Sequence, residues 1–181
     1  MRTFISIELP EKIRKRIFRL SKKVRDSGCV SGSFVSKDNI HLTLRFLGNL
    51  TGKQISQVKD ALSDLALPKF RAQTGKIGFF PSENYVKVIW VDFVSDDVVR
   101  LKGLIENKLQ KVGINKERKD FEPHITFARI RKVSDKPKFL EIIKDMDLRK
   151  MDVEVDKIHL RKSELTNDGP IYKTLGEFSL M

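Results

Sequence analysis

Two short segments of the chain each carry a histidine and a threonine two residues apart. The first, "HLTL", begins at His41, and the second, "HITF", begins at His124. Residues two apart in a β-strand point to the same face, so Thr43 shares a face with His41 and Thr126 shares a face with His124. Apolar residues occupy the alternate positions and point toward a core. One such pair is ordinary in a half-buried strand, so it is the repetition that needs a chemical explanation.

A pair of histidines is suited to general acid–base catalysis of phosphoryl transfer. An imidazole titrates near pH 6.5, so one histidine can accept a proton while the other donates one. Cleavage of a phosphodiester needs both, because a proton leaves the nucleophile and another reaches the leaving oxygen. Threonine hydroxyl groups can hydrogen-bond to the non-bridging phosphate oxygens. We therefore expect His41 and His124 to be catalytic, and Thr43 and Thr126 to bind the substrate.

Metal and nucleophile chemistry fit these residues less well. A zinc site needs three or four protein ligands, and the chain has only one further histidine, His159, and one cysteine, Cys29. Carboxylates could complete a metal site, but threonine is a poor ligand and its pairing with each histidine would be unexplained. No GxSxG motif is present, and Cys29 has no neighbouring histidine. We expect no metal and no cofactor, and in "KIHLRK" Arg161 replaces the threonine, so His159 is expected to be structural.

The segments around the two motifs recur in the same order, which indicates an internal duplication. In each half a short alternating strand, residues 4–9 and 85–93, precedes an amphipathic helix and then the His-x-Thr strand. The interval from that strand to the histidine agrees between the halves within one residue. We predict one α+β domain over residues 1–181, with antiparallel sheets flanked by helices, repeat halves of about 1–80 and 85–181, and a cleft between two lobes.

Terminal residues set the limits of the predicted helices. Two helices are expected between defined ends, from Pro10 to Gly28 and from Ser95 to Gly113. Two more are expected to begin at the capping box Thr51–Gln54 and near Asp135. Further strands are predicted at "TGKIGFF" and "VDKIHL". Turns are predicted at "PSEN", residues 81–84, and at "TNDG", residues 166–169.

Length and charge narrow the class of protein. The 181 residues carry a formal net charge of +12, which favours an anionic partner such as a nucleic acid. A single cysteine excludes a disulfide framework within the chain. The start, "MRTFISIELPEKIRKR", has too short an apolar run for a signal peptide, and no segment approaches the roughly 18 apolar residues of a membrane span. We expect a cytoplasmic monomer with no membrane partner.

The segments "HLTLRFLG" and "PHITFAR" resemble the paired His-x-Thr-x signatures of the two-histidine phosphoesterase superfamily. Within it they most resemble the RNA 2',3'-cyclic phosphodiesterases, also called 2'-5' RNA ligases, and the resemblance spans the whole chain. It implies metal-independent hydrolysis of RNA 2',3'-cyclic phosphate ends, tRNA among them, to 2'-phosphomonoesters. It also implies a weaker, reversible joining of RNA ends through a 2'-5' linkage.

The resemblance assigns a role to each motif residue. His41 resembles the proton donor to the leaving oxygen, His124 the base that activates water, and Thr43 and Thr126 the hydroxyl groups that bind phosphate. Arg129 matches an arginine that the family uses near the substrate phosphate. Strict alternation would place Arg129 on the face opposite Thr126, so this role requires a β-bulge or a strand end.

The first half of the chain lacks an equivalent arginine. It has Phe46 and Leu47 in that neighbourhood, so the two histidines should differ in role. Phe46, Phe80 and Tyr85 near strand ends could stack on bases, whereas Trp90 is expected in the core.

A second interpretation needs no catalysis. The same cleft could belong to an RNA-end-binding module without turnover. The first helix carries eight basic residues between Lys12 and Arg25, which fit either a solvated face or an RNA contact. Replacing either motif histidine by asparagine or glutamine separates the two interpretations, because only proton transfer requires an imidazole.

Overall fold

The structure is a computed structural model that describes residues 1–146, 149–167 and 169–181. The described helices are α1 (Glu11–Asp26), α2 (Gly52–Leu62), α3 (Asp96–Lys111) and α4 (Lys136–Lys144). The described strands are β1 (Arg2–Glu8), β2 (Val30–Phe34), β3 (His41–Asn49), β4 (Phe70–Thr74), β5 (Ile77–Ser82), β6 (Tyr85–Asp92), β7 (His124–Val133), β8 (Met151–Val155), β9 (Lys157–Thr166) and β10 (Gly169–Ser179).

Two four-stranded antiparallel sheets form the two lobes. The first lobe has the strand order β10-β9-β1-β3 and contains the His41 motif; the second has the order β2-β7-β6-β5 and contains the His124 motif. Strands β4 and β8 pair separately as a two-stranded sheet. This arrangement confirms the predicted α+β class with antiparallel sheets and helices.

The lobes do not coincide with the two halves of the sequence. Strand β5, at the end of the first half, pairs with β6 in the second lobe, and β9 of the second half pairs with β1 in the first lobe. The pairing of β4 with β8 also joins the halves. The repeat boundaries near residues 80 and 85 stay a prediction, because the sheets are built by exchange of strands.

The predicted helix signals act as their chemistry suggests. In α2, Gln54 N donates to Thr51 Oγ1 at 3.3 Å and Thr51 N donates to Gln54 Oε1 at 2.9 Å, so both bonds of the capping box are present. Helix α4 begins after Asp135, whose carboxylate accepts from Lys138 N at 3.0 Å. Helix α3 begins after Ser95 as predicted, but the Ser95 side chain makes no capping bond. The apolar stripe predicted for α1 is buried: Ile13, Ile17, Leu20 and Val24.

The turn signals are only partly confirmed. Strand β5 extends through Ser82, so the turn in "PSEN" is confined to Glu83 and Asn84. In "TNDG", β9 continues through Thr166 and β10 begins at Gly169, while Asp168 lies outside the described residues.

Each long helix packs beneath the sheet of the opposite lobe. Helix α1, which follows β1, contacts β2, β7 and α4, and its buried Ser21 Oγ donates to Phe127 O of β7 at 3.4 Å. Helix α3, which follows β6, reaches β3 through an ion pair between Glu106 and Arg45 at 2.9 Å. Each motif strand is therefore in contact with one of the two long helices. No helix in the described ranges is both long and apolar enough to cross a bilayer.

Candidate active site

The backbone holds the His41 imidazole in one tautomer. His41 opens β3 between a short 3₁₀ turn and the buried Leu42, and its Nδ1 lies 2.7 Å from Asn39 O. A carbonyl oxygen can only accept, so Nδ1 carries a proton and the neutral ring has an unprotonated Nε2. That Nε2 lies 2.9 Å from Thr43 Oγ1, whose hydroxyl group donates to it. The unprotonated nitrogen of the neutral His41 ring is therefore Nε2, beside Thr43.

His124 is held in the same way at the start of β7. Its Nδ1 donates to Glu122 O at 2.6 Å, again a carbonyl two residues before the histidine. Within the described part of the chain, the Nε2 atom of His124 has no hydrogen-bond partner on the protein. The duplicated motifs thus share a tautomer, and they differ in what each Nε2 contacts.

Aromatic rings surround both imidazoles. The His41 ring centroid lies 5.1 Å from that of Phe4 and 5.3 Å from that of Tyr172, which meets it edge-on. The His124 ring centroid lies 4.9 Å from that of Phe80, also edge-on, and 6.0 Å from that of Trp90. Trp90 is only half-buried and flanks the histidine, so its expected place in the core is wrong.

Burial lowers the pKa of both motif histidines. The pKa of His41 falls from its ordinary value to about 4, chiefly through burial and further through the positive charge of Arg161. The pKa of His124 is also lowered by burial, with Lys119 and Arg129 acting in the same direction and the Glu122 carbonyl and carboxylate opposing them. Both shifts favour the neutral ring in the free protein.

A β-bulge places Arg129 on the same face as Thr126. In the pairing of β6 with β7, Trp90 lies opposite Thr126 and the adjacent Ile89 lies opposite Ala128, which leaves Phe127 as an extra residue. Both Phe127 and Ala128 are therefore buried, and the alternation resumes with Arg129 exposed. Of the two arrangements that the role implied by the family resemblance allowed, a β-bulge or a strand end, the strand has the bulge.

The same bulge occurs at the equivalent point of the first motif strand. In the pairing of β1 with β3, Ser6 lies opposite Thr43 and the adjacent Ile5 lies opposite Arg45, which makes Leu44 the extra residue. Phe46 then returns to the face of Thr43, where its ring centroid lies 6.2 Å from that of Phe4.

Two glycines allow close packing beside the second motif. A Cβ atom at Gly78 would lie 2.2 Å from the Trp90 ring, so the indole lies against the Gly78 backbone on the neighbouring strand. A Cβ atom at Gly32 would lie 2.1 Å from Arg129 O. A larger side chain at either position would displace a residue next to the His124 motif.

The two lobes contact each other at the motif strands. The motif strands β3 and β7 contact each other. The charge of Arg129, on β7, lowers the pKa of His124 and also acts on Tyr172, the ring that packs on His41. Burial is the main effect on Tyr172 and raises its pKa. We therefore assign His41, Thr43, His124, Thr126 and Arg129 to the cleft that is predicted between the lobes.

The sequence did not single out two residues of the His41 wall. Arg161 of β9 forms an ion pair with Glu8 beside His41, and its guanidinium lies 6.0 Å from the ring centroid of Tyr172, on β10. Both residues are more than a hundred positions from the motif they flank, and no local pattern marks them. The run "His-Leu-Arg", which includes Arg161, resembles the start of the two motifs and could have drawn attention to this residue.

His159 is buried on β9. It lies opposite Ser6 on β1, its side chain is 5% exposed, and its Nε2 is 3.8 Å from Glu177 Oε1. The structural role expected for His159 stays a prediction. Among the residues that the structure describes, no group of three or more His, Cys, Asp or Glu side chains is placed to hold a metal ion.

Comparison with known families gives one match that covers most of the chain. The model of the family described as LigT-like phosphoesterase matches residues 7–90 and 92–172. The chain is 32% identical to an RNA 2',3'-cyclic phosphodiesterase of Methanocaldococcus jannaschii over 98% of this chain and 100% of the relative. It is 33% identical to an RNA 2',3'-cyclic phosphodiesterase of Thermotoga maritima over 98% of this chain and 94% of the relative.

Solved structures show the same fold. Protein TT0787 of Thermus thermophilus superposes with a TM-score of 0.81 at 26% identity, over 99% of this chain and 98% of that chain. LigT of Escherichia coli, complexed with 3'-AMP, superposes with a TM-score of 0.78 at 22% identity, over 99% of this chain and 97% of that chain. The second likeness concerns the fold alone.

Proposed function

Because the chain belongs to the LigT-like phosphoesterase family, we propose that it hydrolyses the 2',3'-cyclic phosphate at the end of an RNA chain to a 2'-phosphomonoester. The relatives named above are hydrolases by name, and the chain is a hydrolase of this family. A non-catalytic RNA-end-binding module is therefore the weaker interpretation. His41 and His124 are the proposed acid and base.

The observation that carries this proposal is the matched orientation of the two imidazoles. Each ring donates its Nδ1 proton to a carbonyl two residues upstream, which leaves Nε2 as the nitrogen that exchanges a proton with substrate. A ring fixed by one backbone bond does not have to reorient during the reaction. Two such rings on facing strands provide the two proton transfers that a phosphodiester cleavage needs.

The proposed reaction proceeds in line at phosphorus. His124 Nε2 removes a proton from water, the water oxygen attacks phosphorus, and the bond from phosphorus to O3' breaks. Protonated His41 delivers its Nε2 proton to O3'. The products are a 3'-hydroxyl group and a 2'-phosphomonoester, which balances the water consumed.

Thr43, Thr126 and Arg129 are proposed to bind the non-bridging oxygens. Both threonines are half-buried on the same strand faces as the histidines, and the bulge at Phe127 brings Arg129 to that face. A guanidinium can donate two bonds to one phosphate, and preorganised donors stabilise the charge that develops in the transition state.

The low pKa of His41 fits a role that depends on bound phosphate. In the free protein the ring is neutral at pH 7, since burial lowers its pKa to about 4. A phosphate anion next to Nε2 favours the imidazolium and raises that pKa. Substrate binding would thus recruit the proton that the leaving O3' requires.

We also propose a 2'-5' RNA ligase activity for the same site. If the 5'-hydroxyl group of a second RNA replaces water, the same proton transfers form a 2'-5' linkage and free the 3'-hydroxyl group. The reverse reaction cleaves that linkage. Neither direction needs a residue beyond those that serve hydrolysis.

Incubation of a synthetic oligonucleotide 2',3'-cyclic phosphate with and without EDTA tests the proposal. We expect the 2'-phosphomonoester as product and the same rate in both samples, because two imidazoles supply both proton transfers. A 3'-phosphomonoester would contradict the assignment of O3' as leaving group. A loss of activity with EDTA that a divalent ion restores would contradict the metal-independent mechanism.

A further inference from the structure

A groove opens on the first lobe directly beside His41. It has a volume of about 590 Å³ and lies between the start of α1, the 3₁₀ turn over Lys37–Asn39 and the β9–β10 hairpin. The polar side chains that line it include Arg14, Ser36, Asp38, Asn39, Arg161 and Tyr172. Neither motif threonine lines the groove, so it is a separate space that adjoins the candidate active site.

The groove shares two residues with the surroundings of His41. Asn39 accepts the His41 Nδ1 proton through its carbonyl, and its side-chain Nδ2 donates to Pro170 O on the far wall at 2.6 Å. Tyr172 lines the groove and packs edge-on against the His41 ring. A group bound in the groove is therefore a close neighbour of the proposed general acid.

The proposed chemistry determines which part of the RNA lies beside His41. The leaving O3' receives its proton from His41 and stays attached to the terminal ribose. In an in-line reaction the attacking water approaches from the opposite side of phosphorus, next to His124. The terminal nucleoside, and the RNA chain that continues from its 5' oxygen, must then extend over the His41 wall. The groove adjoins that wall through Asn39 and Tyr172, which both contact His41.

Two guanidinium groups give the groove the charge that an RNA backbone requires. Arg14 of α1 and Arg161 of β9 both line it, and among the described residues the Nε atom of each is buried without a hydrogen-bond partner. Asp38 opposes them at the rim, where its exposed carboxylate lies 3.8 Å from Arg14 Nη1. Arg161 is already paired with Glu8, which leaves Arg14 as the more available donor. Guanidinium groups with free donors bind phosphate well.

We propose that this groove binds the phosphodiester that joins the terminal nucleotide of the RNA to its upstream neighbour, with Arg14 as its principal contact. The inference rests on the proposed function, because it uses His41 as the donor to O3'. It adds that the enzyme distinguishes an RNA end from a mononucleotide. It also assigns a function to one of the basic residues of α1.

Three substrates that differ only upstream of the cyclic phosphate test this inference. They are a nucleoside 2',3'-cyclic phosphate, the dinucleotide with one ordinary linkage before the same end, and that dinucleotide with a neutral methylphosphonate linkage. The wild-type kcat/KM should be at least about tenfold higher for the ordinary dinucleotide than for the mononucleotide, the usual effect of a good phosphate contact. The methylphosphonate should lose most of that advantage.

The variant Arg14→Gln and its control Arg19→Gln separate a direct contact from bulk charge. Both residues lie on α1 and each change removes one positive charge, but Arg19 is exposed and does not line the groove. Arg14→Gln should lower kcat/KM for the ordinary dinucleotide toward the value for the methylphosphonate dinucleotide. It should leave kcat/KM for the mononucleotide unchanged. It should also reduce the slope of log kcat/KM against log salt by about one for the dinucleotide. Arg19→Gln should keep the dinucleotide advantage.

Each failure has a different signature. If Arg14→Gln keeps the full dinucleotide advantage, or if Arg19→Gln loses it equally, the groove is not the phosphate site. If the wild type cleaves all three substrates at one rate, the upstream phosphate is not bound at all. If the wild type fails to cleave the mononucleotide and both dinucleotides, the proposed function itself is wrong.

Discussion

Arg129 and Phe46 occupy equivalent positions in the two motif strands. Each lies three residues after its threonine, and each returns to the face of the histidine because a β-bulge intervenes, at Phe127 in one strand and at Leu44 in the other. The two motif strands therefore share the same backbone irregularity and differ in the side chain that it brings to the face of the histidine. A guanidinium on one wall suits a phosphate, and a phenyl ring on the other suits a base.

This difference predicts different kinetic effects for the two positions. Arg129→Gln should lower kcat/KM by about 10- to 100-fold, as expected for a lost hydrogen bond from a charged group to phosphate. Phe46→Ala should raise KM by a comparable factor with kcat near wild type, since base stacking is worth about 1–3 kcal/mol. Steady-state kinetics on an oligonucleotide cyclic phosphate measure both.

Tyr85→Ala is the matched control for Phe46→Ala. Tyr85 is 60% exposed and Phe46 is 53% exposed, but Tyr85 begins β6 at the end far from Asp92, which pairs with His124. Its removal should leave kcat and KM unchanged. If Tyr85→Ala raised KM as much as Phe46→Ala, the stacking position would be misassigned.

Ligand binding should raise the pKa of His41. An NMR titration of the free protein should place this pKa at about 4, because burial favours the neutral ring. A saturating nucleoside 2'-phosphate should raise it by at least about one unit, because the phosphate anion favours the imidazolium. The variant His41→Asn identifies the resonance. An unchanged pKa on binding would remove the proposed source of the proton for O3'.

The stability of the first motif strand should depend on a buried ion network. Arg45 of β3 pairs with Glu106 at 2.9 Å, and Lys102 pairs with the same carboxylate at 2.6 Å. Glu106→Gln would leave Arg45 and Lys102 to share the more exposed carboxylate of Glu117, at 3.7 and 2.8 Å, and we expect it to lower the free energy of unfolding by about 3 kcal/mol. Urea denaturation measures the change. Glu11→Gln, which breaks the exposed pair with Lys15, should leave the unfolding midpoint nearly unchanged.

Local sequence patterns predicted the individual helices and strands well. They were poor predictors of how these elements pair with one another. The apolar stripe of α1 and the capping box at Thr51 depend on neighbours a few residues away, and both are present. The exchange of β5 and β9 between lobes depends on pairing between distant segments, which no local period encodes. Strand β2 was not predicted, because "VSGSF" is short and polar.

The same distinction holds for the candidate site. The motif residues followed from spacing and alternation, whereas the bulge before Arg129 was required only by the role that the family resemblance assigned to that residue. Arg161 and Tyr172 reach His41 only through the pairing of β1 with β9 and of β9 with β10, so their part in the cleft could not be predicted. Trp90 was assigned to the core because its strand is apolar, whereas Gly78 leaves room for its ring on the cleft side.

The double variant of the motif histidines should show that they act as a unit. His41→Asn and His124→Asn should each lower kcat by roughly 10²–10⁴-fold, the usual contribution of general acid–base catalysis. Combining them should lower kcat little further. His159→Asn is the control and should leave kcat near wild type, because its ring is buried and its Nε2 lies beside Glu177. A loss with His159→Asn equal to that with His124→Asn would place the active site elsewhere.

The pH dependence of kcat/KM in the wild type and in both single variants tests the central claim most directly. The wild type should give a bell with both limbs below pH 6.5, because burial lowers the pKa of both histidines. His124→Asn should lose the limb that rises with pH, since the base is gone, and His41→Asn should lose the limb that falls. A wild-type profile with a single limb, or loss of the same limb in both variants, would contradict an acid and a base supplied by the two motifs.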